Sequence, residues 1–133
     1  MTEVGLQGCR VLVVDDEMLV AMLVETALED ECCIVVGPYG RLDEALAAAR
    51  TEALDLAVLD INLAGELVFP VAEVLVERGV PFLLLSGYGE VALPSDRRHW
   101  PICSKPFNLG ELVSTLSRLR RNPPPRSGGG REA

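Results

Sequence analysis

Short apolar runs alternate along this chain with longer segments in which apolar residues recur at helical spacing, and this alternation restricts the possible folds most strongly. Each run is a continuous stretch of mainly aliphatic residues, as expected for strands that are covered on both faces. Runs at residues 10–14, 33–36, 56–59, 81–85 and 102–104 predict five strands. Helical spacing predicts four helices at residues 17–30, 42–52, 68–78 and 108–121, the last capped by Asn108. The order of these elements favours a parallel α/β sheet.

The segment between the fourth and fifth predicted strands departs from this pattern. Gly87, Gly89 and Pro94 interrupt any helical periodicity there. We therefore expect the helix that would occupy this segment, the fourth of the fold, to be short, irregular or absent.

The end of the chain differs in composition from the rest. After Arg121 the sequence reads Asn-Pro-Pro-Pro-Arg-Ser-Gly-Gly-Gly, which is typical of a flexible segment that buries no surface. The total length of 133 residues suits one domain. We expect a single domain over residues 1–121 and a flexible tail over residues 122–133.

The charge and hydropathy of the chain disfavour two classes of partner. Twelve Lys and Arg residues against 20 Asp and Glu give a net charge of −8, whereas binding to nucleic acid requires clustered basic residues. The longest wholly apolar stretch, residues 18–24, is far shorter than the ~20 residues that cross a bilayer. The first residues lack the pattern of a secretory signal. We expect a cytoplasmic protein that binds neither nucleic acid nor membrane.

The cysteines do not form a recognisable metal or disulfide pattern. Cys9, Cys32, Cys33 and Cys103 lack C-x-x-C spacing and lie in or beside apolar runs, and the sequence contains one histidine. We expect buried, reduced thiols.

Acidic, hydroxyl and basic side chains stand where the predicted strands end. Strand one ends at Asp15 and Asp16, strand three at Asp60, strand four at Ser86 and strand five at Lys105. In an open parallel sheet these ends share one edge, where ligands bind. Three neighbouring carboxylates repel one another unless a cation shares the site, and Mg²⁺ suits a small set of carboxylates that leaves room for water or phosphate. The sequence therefore predicts a magnesium site at this edge.

Such a site is suited to phosphoryl transfer. A carboxylate can attack phosphorus and form an aspartyl phosphate. The ammonium group of Lys105 and the hydroxyl group of Ser86 would neutralise and hydrogen-bond the phosphoryl oxygens. Gly87 follows the hydroxyl residue, and its lack of a side chain would let phosphate approach.

Four motifs resemble the receiver domain of two-component response regulators. In chain order they are Val13-Val14-Asp15-Asp16-Glu17, Leu59-Asp60-Ile61-Asn62-Leu63, Leu85-Ser86-Gly87 and Ser104-Lys105-Pro106-Phe107. The resemblance covers about residues 9–121 and implies a flavodoxin-like fold, with a doubly wound, five-stranded parallel sheet in the order 2-1-3-4-5.

The resemblance also implies roles for individual residues. Asp60 would accept a phosphoryl group from a histidine kinase or a histidine phosphotransfer protein. Ser86 and Gly87 would couple phosphorylation to loop movement, and Lys105 would bind the phosphate. The implied Mg²⁺ ligands are Asp15, Asp16, Asp60 and the backbone carbonyl of Ile61.

The loop after the fourth predicted strand indicates how this chain could differ from other receivers. Ser86-Gly87-Tyr88 resembles the Thr-Gly-Tyr loop of a subgroup of stand-alone receivers, mainly alphaproteobacterial. Ile102 stands where most receivers carry an aromatic switch residue. Tyr88 is the nearest aromatic residue that could replace it, and we predict that its ring moves when Asp60 is phosphorylated.

The first predicted helix indicates a docking surface. Steps of 100° per residue place Val20, Leu23, Val24 and Ala27 towards the sheet. They place Met18, Ala21 and Met22 on the opposite side, near the phosphorylation edge. Three exposed apolar residues beside an active site, two of them adaptable methionines, predict a surface on which a kinase docks.

Together these patterns predict a single-domain response regulator that signals through phosphorylation-dependent contacts with an unidentified protein. It would catalyse only its own Mg²⁺-dependent phosphorylation and dephosphorylation, as an allosteric partner, a phosphate shuttle or a phosphate sink. Two alternatives are a phosphorylation-independent interaction domain and a phosphatase with an aspartate nucleophile. Such a phosphatase requires a second acid two residues after its nucleophile, where this chain has Asn62.

Overall fold

A five-stranded parallel sheet forms the centre of the protein, whose computed structural model describes residues 5–87, 93, 95–97 and 99–122. Its strands are β1 (Arg10–Val14), β2 (Ile34–Tyr39), β3 (Leu56–Asp60), β6 (Phe82–Ser86) and β7 (Ile102–Ser104). A short antiparallel hairpin follows β3 and supplies β4 (Asn62–Leu63) and β5 (Glu66–Leu67). The main sheet has the order β2-β1-β3-β6-β7. Without the hairpin this is the predicted order 2-1-3-4-5.

Within the described part of the chain, four α-helices cover the sheet: α1 (Met18–Asp30), α2 (Leu42–Thr51), α3 (Phe69–Arg78) and α4 (Leu109–Arg121). The predicted cap is confirmed, because Asn108 Oδ1 accepts a hydrogen bond from the Glu111 backbone N–H at 3.1 Å. Helix α3 ends at Gly79, whose φ of 72° lies in the left-handed region that glycine adopts without strain. No helix within the described residues has the length and apolarity that crossing a bilayer requires.

Alternate residues along the strands build a core on each face of the sheet. Leu12, Leu59 and Leu84 are fully buried against α2 and α3, whereas Val13 and Leu83 are buried against α1 and α4. All five residues of the central strand β3 are buried, including Asp60 at its end. The continuous apolar runs in the sequence follow from this two-sided cover.

The second strand is longer than the sequence predicts. It continues through Gly37 and Pro38 to Tyr39 rather than ending at Val36. Proline removes a backbone donor and usually ends a strand. Here β2 is an edge strand, and its pairing with β1 is irregular between Val36 and Tyr39, the kind of position at which a strand tolerates proline.

The segment between β6 and β7 contains one 3₁₀ turn in its described part, Ser95–Arg97, in agreement with the expected short or irregular helix. Arg97 joins this turn to α3 through an ion pair with Glu73 at 2.8 Å. The guanidinium group of Arg97 also lies 5.3 Å from the ring centroid of Trp100. Trp100 is buried edge-on against Phe82 with ring centroids 5.3 Å apart. These contacts fix the approach to β7.

The cysteines are all free thiols, but they are not all buried. Cys9 and Cys33 are buried and Cys103 is half-buried, whereas Cys32 is exposed. The prediction is wrong for Cys32 because this residue lies in the turn that ends α1, with a φ of 64° and its N–H bonded to the Glu29 carbonyl. An apolar neighbourhood in sequence does not bury a residue in such a turn.

Candidate functional site

Three carboxylates meet at the carboxyl edge of the sheet. Asp15 follows the last residue of β1 and Asp60 is the last residue of the neighbouring strand β3. One oxygen from each of Asp15, Asp16 and Asp60 can be chosen so that all three lie within 4.8 Å of one another. Asp15 is 4% and Asp60 is 3% exposed, whereas Asp16 is exposed. The fold thus brings together the acidic residues that the sequence places at strand ends.

Lys105, which follows β7, reaches into this cluster. Its Nζ atom lies 3.4 Å from Asp60 Oδ2 and 3.6 Å from Asp15 Oδ2. Its backbone N–H donates a hydrogen bond to the Ser86 carbonyl at 2.8 Å, which ties the end of β7 to the end of β6. Ser86 and Gly87 are half-buried at the same edge. One ammonium group and one hydroxyl group therefore border the carboxylates.

Burial makes the ionised state of the two inner carboxylates costly. Desolvation, reinforced by the negative charge of Asp15, raises the pKa of Asp60 to about 7. Desolvation also raises the pKa of Asp15, although the Glu17 backbone N–H and the charge of Lys105 act in the opposite direction. Burial alone would lower the pKa of Lys105, but the hydrogen bond that its ammonium group donates to Glu17 and the charges of Asp15 and Asp60 raise the pKa above its usual value.

The donor set fits a divalent cation. Asp15 Oδ2 is buried and accepts no hydrogen bond from the described residues; a buried carboxylate oxygen without a donor is costly. A cation held by Asp15, Asp16 and Asp60 would satisfy this oxygen, and carboxylates are the oxygen ligands that Mg²⁺ binds. The carbonyl group of Ile61 accepts a hydrogen bond from the Val68 N–H at 2.8 Å, so one of its lone pairs is already used.

Glu17 belongs to the site, although the sequence motifs predict no role for it. Glu17 Oε1 lies 2.8 Å from Lys105 Nζ, nearer than either aspartate. The Glu17 backbone N–H also donates to Asp15 Oδ1 at 2.8 Å. The available signal was its position directly after the acidic pair, at the cap of α1.

The exposed apolar surface of α1 is not the predicted one. Met18, Leu19, Met22 and Leu23 are each more than half exposed; we call these four residues the α1 apolar face. Ala21 is 4% exposed, so its predicted place in a docking surface is wrong, as is the predicted burial of Leu23. The helix packs through Ala21, Val24 and Leu28, one face at the spacing i, i+3 and i+7.

A groove of about 640 Å³ runs from Leu23, at the border of the α1 apolar face, to the carboxylates. Its lining includes Leu23 from α1, Phe107 from the loop after β7, and the charged residues Asp16, Asp60 and Lys105. One partner could therefore contact the apolar side chains of the groove and the carboxylates at the edge of the sheet at the same time.

Two residues of the predicted switch have different outcomes. Ile102 is exposed on β7 and offers no ring that could pack inward. Tyr88 lies outside the described residues, as does Gly89, so the expected movement of Tyr88 stays a prediction.

Replacing Asp60 with asparagine measures the cost of burying its charge. The folded pKa of about 7 lies above the roughly 3.9 of an unfolded aspartate, so the stability that this carboxyl group contributes declines as the pH rises from about 4 to about 7. Asp60→Asn stays neutral and should gain stability relative to the parent protein over that interval, up to about 4 kcal/mol at pH 8 in a chelating buffer. Urea unfolding at several pH values measures this difference.

The control is Asp30→Asn, which removes an exposed carboxylate at the end of α1. Between pH 4 and 8, Asp60→Asn should gain more stability than this control. A constant difference between Asp60→Asn and the parent from pH 4 to 8 would contradict the assigned cost.

Two curated proteins are similar to this chain in sequence. The regulatory protein VanRc of Enterococcus gallinarum is 34% identical over 121 residues, which cover 84% of this chain and 50% of that protein. The transcriptional regulatory protein TcrA of Mycobacterium tuberculosis is 37% identical over 126 residues, which cover 90% of this chain and 49% of that protein. The chain thus spans about half the length of the curated relatives it matches.

Solved structures are similar in fold over most of the chain. The solution structure of SdrG from Sphingomonas melonis Fr1 is 36% identical, with a TM-score of 0.74 and coverage of 86% of this chain and 96% of that one. The receiver domain of NtrX from Brucella abortus is 29% identical, with a TM-score of 0.72 and coverage of 84% and 98%. PhyR from Brucella abortus is 28% identical, with a TM-score of 0.70 and coverage of 86% of this chain and 49% of PhyR.

The family of response regulator receiver domains matches residues 11–117. Receiver domains are signalling domains that accept phosphoryl groups, bind Mg²⁺ at an acidic pocket and interact with histidine kinases or phosphotransfer proteins. The sheet order, the acidic cluster at its carboxyl edge and the sequence match agree. The chain belongs to the response regulator receiver domain family.

Proposed function

We propose that this chain is a single-domain response regulator that accepts a phosphoryl group from a phosphohistidine on Asp60 and signals through phosphorylation-dependent protein contacts. One observation carries the proposal: the Lys105 ammonium group lies 3.4 Å from the buried carboxylate of Asp60, and two further carboxylates lie beside it. Asp60 ends β3, which lies between β1 and β6 in the sheet. The acidic pair follows β1, and Lys105 follows β7, the neighbour of β6. Asp60 is therefore the acceptor, and Asp15 and Asp16 are cation ligands.

The reaction requires an ionised nucleophile. An Asp60 oxygen forms a bond to phosphorus, the bond from phosphorus to the donor nitrogen breaks, and the imidazole leaves with the bonding electron pair. A divalent cation held by the three aspartates would supply positive charge that keeps these carboxylates ionised and neutralises phosphoryl oxygens. Lys105 supplies a further positive charge 3.4 Å from Asp60, and Ser86 supplies a hydroxyl donor at the end of β6.

The environment of Asn62 disfavours the phosphatase alternative. Its side-chain Oδ1 accepts a hydrogen bond from the Gly65 N–H at 2.7 Å, which closes the turn between β4 and β5. A phosphatase of this type would hold its proton donor two residues after Asp60. At that position this chain has an amide, which is engaged in the turn, and no acid. We propose that the chain catalyses only its own phosphorylation and dephosphorylation.

The signalling step is proposed to start at Ser86. A hydrogen bond from its hydroxyl group to the phosphoryl group exists in only one of the two states, as a ligand-driven shift requires. In the described residues, Ser86 Oγ makes only a long 3.5 Å contact with the Gly87 carbonyl, so little holds it in place. Tyr88 as the responding aromatic, and membership of the Thr-Gly-Tyr subgroup, remain predictions.

The α1 apolar face supports docking of the kinase or phosphotransfer protein. Isolated exposed apolar residues are ordinary, but here four lie together on one helix. One of them, Leu23, lines a groove that reaches Asp60. Methionine side chains adapt to different partner surfaces. We propose that this face, rather than one that includes Ala21, receives the partner.

The acceptor assignment has a direct test. Asp60→Ala should lose all label from acetyl phosphate and from a cognate kinase, because within the described residues Asp60 is the one buried carboxylate beside Lys105 that is not part of the acidic pair. Mass spectrometry after borohydride trapping identifies the labelled residue. Asp30→Ala, which removes an exposed carboxylate from α1, should be labelled like the parent. Label on Asp60→Ala at parental yield would contradict the assignment.

The metal assignment is tested separately by calorimetry. Asp16→Ala should weaken Mg²⁺ binding more than tenfold, equivalent to more than ~1.4 kcal/mol, because it removes one of three charged ligands. Asp16 is exposed, so its truncation leaves the core intact. Asp43→Ala removes an exposed carboxylate of α2 and serves as the control. An unchanged Mg²⁺ titration for Asp16→Ala would exclude Asp16 as a ligand.

Docking on the α1 apolar face should matter for a protein phosphoryl donor but not for a small-molecule donor. The double variant Met18→Glu/Met22→Glu should lose most transfer from a cognate kinase but keep labelling by acetyl phosphate, since both side chains point to solvent. The matched control is Ile34→Glu, which places charge on an exposed isoleucine at the other end of the sheet. Equal loss with both donors, or parental transfer from the kinase, would contradict docking on this face.

A further inference from the structure

The nearest charged partner of Lys105 is Glu17 rather than Asp60, the proposed phosphoryl acceptor. Lys105 Nζ lies 2.8 Å from Glu17 Oε1 but 3.4 Å from Asp60 Oδ2. The first distance is that of a strong charge-assisted hydrogen bond, whereas the second is at the limit of one. Glu17 therefore holds the ammonium group that a phosphoryl group on Asp60 would need.

The two partners differ in freedom of movement. The side chain of Glu17 is 59% exposed, that of Lys105 is 16% exposed and that of Asp60 is 4% exposed. The Glu17 carboxylate can be solvated by water when its partner leaves, so its release costs little, as for other partly exposed ion pairs. Asp60 is fixed in the sheet and offers no such freedom.

Glu17 is held at its place by its backbone. Its N–H donates to Asp15 Oδ1, and it stands at the cap of α1 without a side-chain bond to the helix. The side chain is therefore free to extend towards Lys105. Its contact with Lys105 joins residues 88 positions apart in the sequence.

We propose that Glu17 is a positioning residue, a displaceable counter-ion that holds Lys105 in the unphosphorylated state and must release it when Asp60 receives a phosphoryl group. The contact opposes phosphorylation because the incoming group competes with Glu17 for one ammonium group. This inference rests on the proposed function and extends it to a residue that sets the balance between the two states.

Removing the contact should favour the phosphorylated state. In phosphorylation by acetyl phosphate, an Asp60 oxygen bonds to phosphorus, the bond to the acetyl oxygen breaks, and acetate leaves with the electron pair. With Lys105 released beforehand, Glu17→Gln should bind beryllofluoride, a phosphoryl mimic, about two- to fivefold more tightly, the range for a partly exposed ion pair. Labelling by acetyl phosphate below saturation should rise by a similar factor. Each variant is measured at its own saturating Mg²⁺ concentration.

Two control variants separate contact from charge. Glu17→Asp keeps the negative charge but is shorter by one methylene group, and an aspartate at a helix cap turns towards the helix N–H groups. It should therefore behave like Glu17→Gln. Glu29→Gln removes the same charge from the exposed far end of α1 and should match the parent.

A measurement without Mg²⁺ or a phosphoryl donor tests the contact itself. The ¹H–¹⁵N NMR signal of the Lys105 ammonium group should be protected from exchange in the parent and in Glu29→Gln, and should broaden in both Glu17 variants. Tighter beryllofluoride binding by both Glu17 variants, together with this broadening, would support the proposal.

Three results would overturn the proposal. The first is a Glu17→Gln variant that binds beryllofluoride with parental affinity. The second is a Glu17→Asp variant with parental affinity while Glu17→Gln binds more tightly, and the third is an unchanged Lys105 signal in Glu17→Gln. The second result would show that charge acts without the contact. A parent protein that acetyl phosphate does not label would overturn the proposed function, and the inference with it. Failure of the inference alone would leave parental labelling intact.

Discussion

The electrostatic interaction of two buried carboxylates with one ammonium group is the main constraint on this structure. Asp15 and Asp60 lie at the ends of neighbouring central strands, where a parallel sheet forces them together. Lys105 offers one positive charge against these two and against Glu17. The site therefore carries excess negative charge, and the large apolar core of the sheet must stabilise the fold against it. Because the cost is electrostatic, a cation bound at this edge would offset it and would link cation binding to folding stability.

The sequence predicts the sheet and the strand-end residues well for one physical reason. Strands covered on both faces require continuous apolar runs, and these runs show where each strand ends. Asp15, Asp60 and Lys105 could therefore be assigned to one edge without coordinates. The motif resemblance added the order of the strands, which the family match and the fold comparison support.

The parts that the sequence did not predict depend on three-dimensional packing. The orientation of α1 depends on how the helix crosses the sheet, so a wheel drawn from sequence alone misplaced Ala21 and Leu23. The hairpin after β3 has strands of two residues, too short for any periodicity. The pair formed by Glu17 and Lys105 joins distant parts of the chain, and neither residue type shows in advance which carboxylate the lysine will meet.

The exposed thiol of Cys32 offers experimental access to a site that it does not touch. It precedes β2, at the amino ends of the strands, so about the length of a five-residue strand, roughly 17 Å, separates it from the carboxylates. Of the four cysteines this is the one classed as exposed, whereas Cys103 is half-buried and the other two are buried. A maleimide dye or a surface tether should therefore attach at a single, known position. The domain could be immobilised or viewed by fluorescence with its reactive edge turned towards its partners.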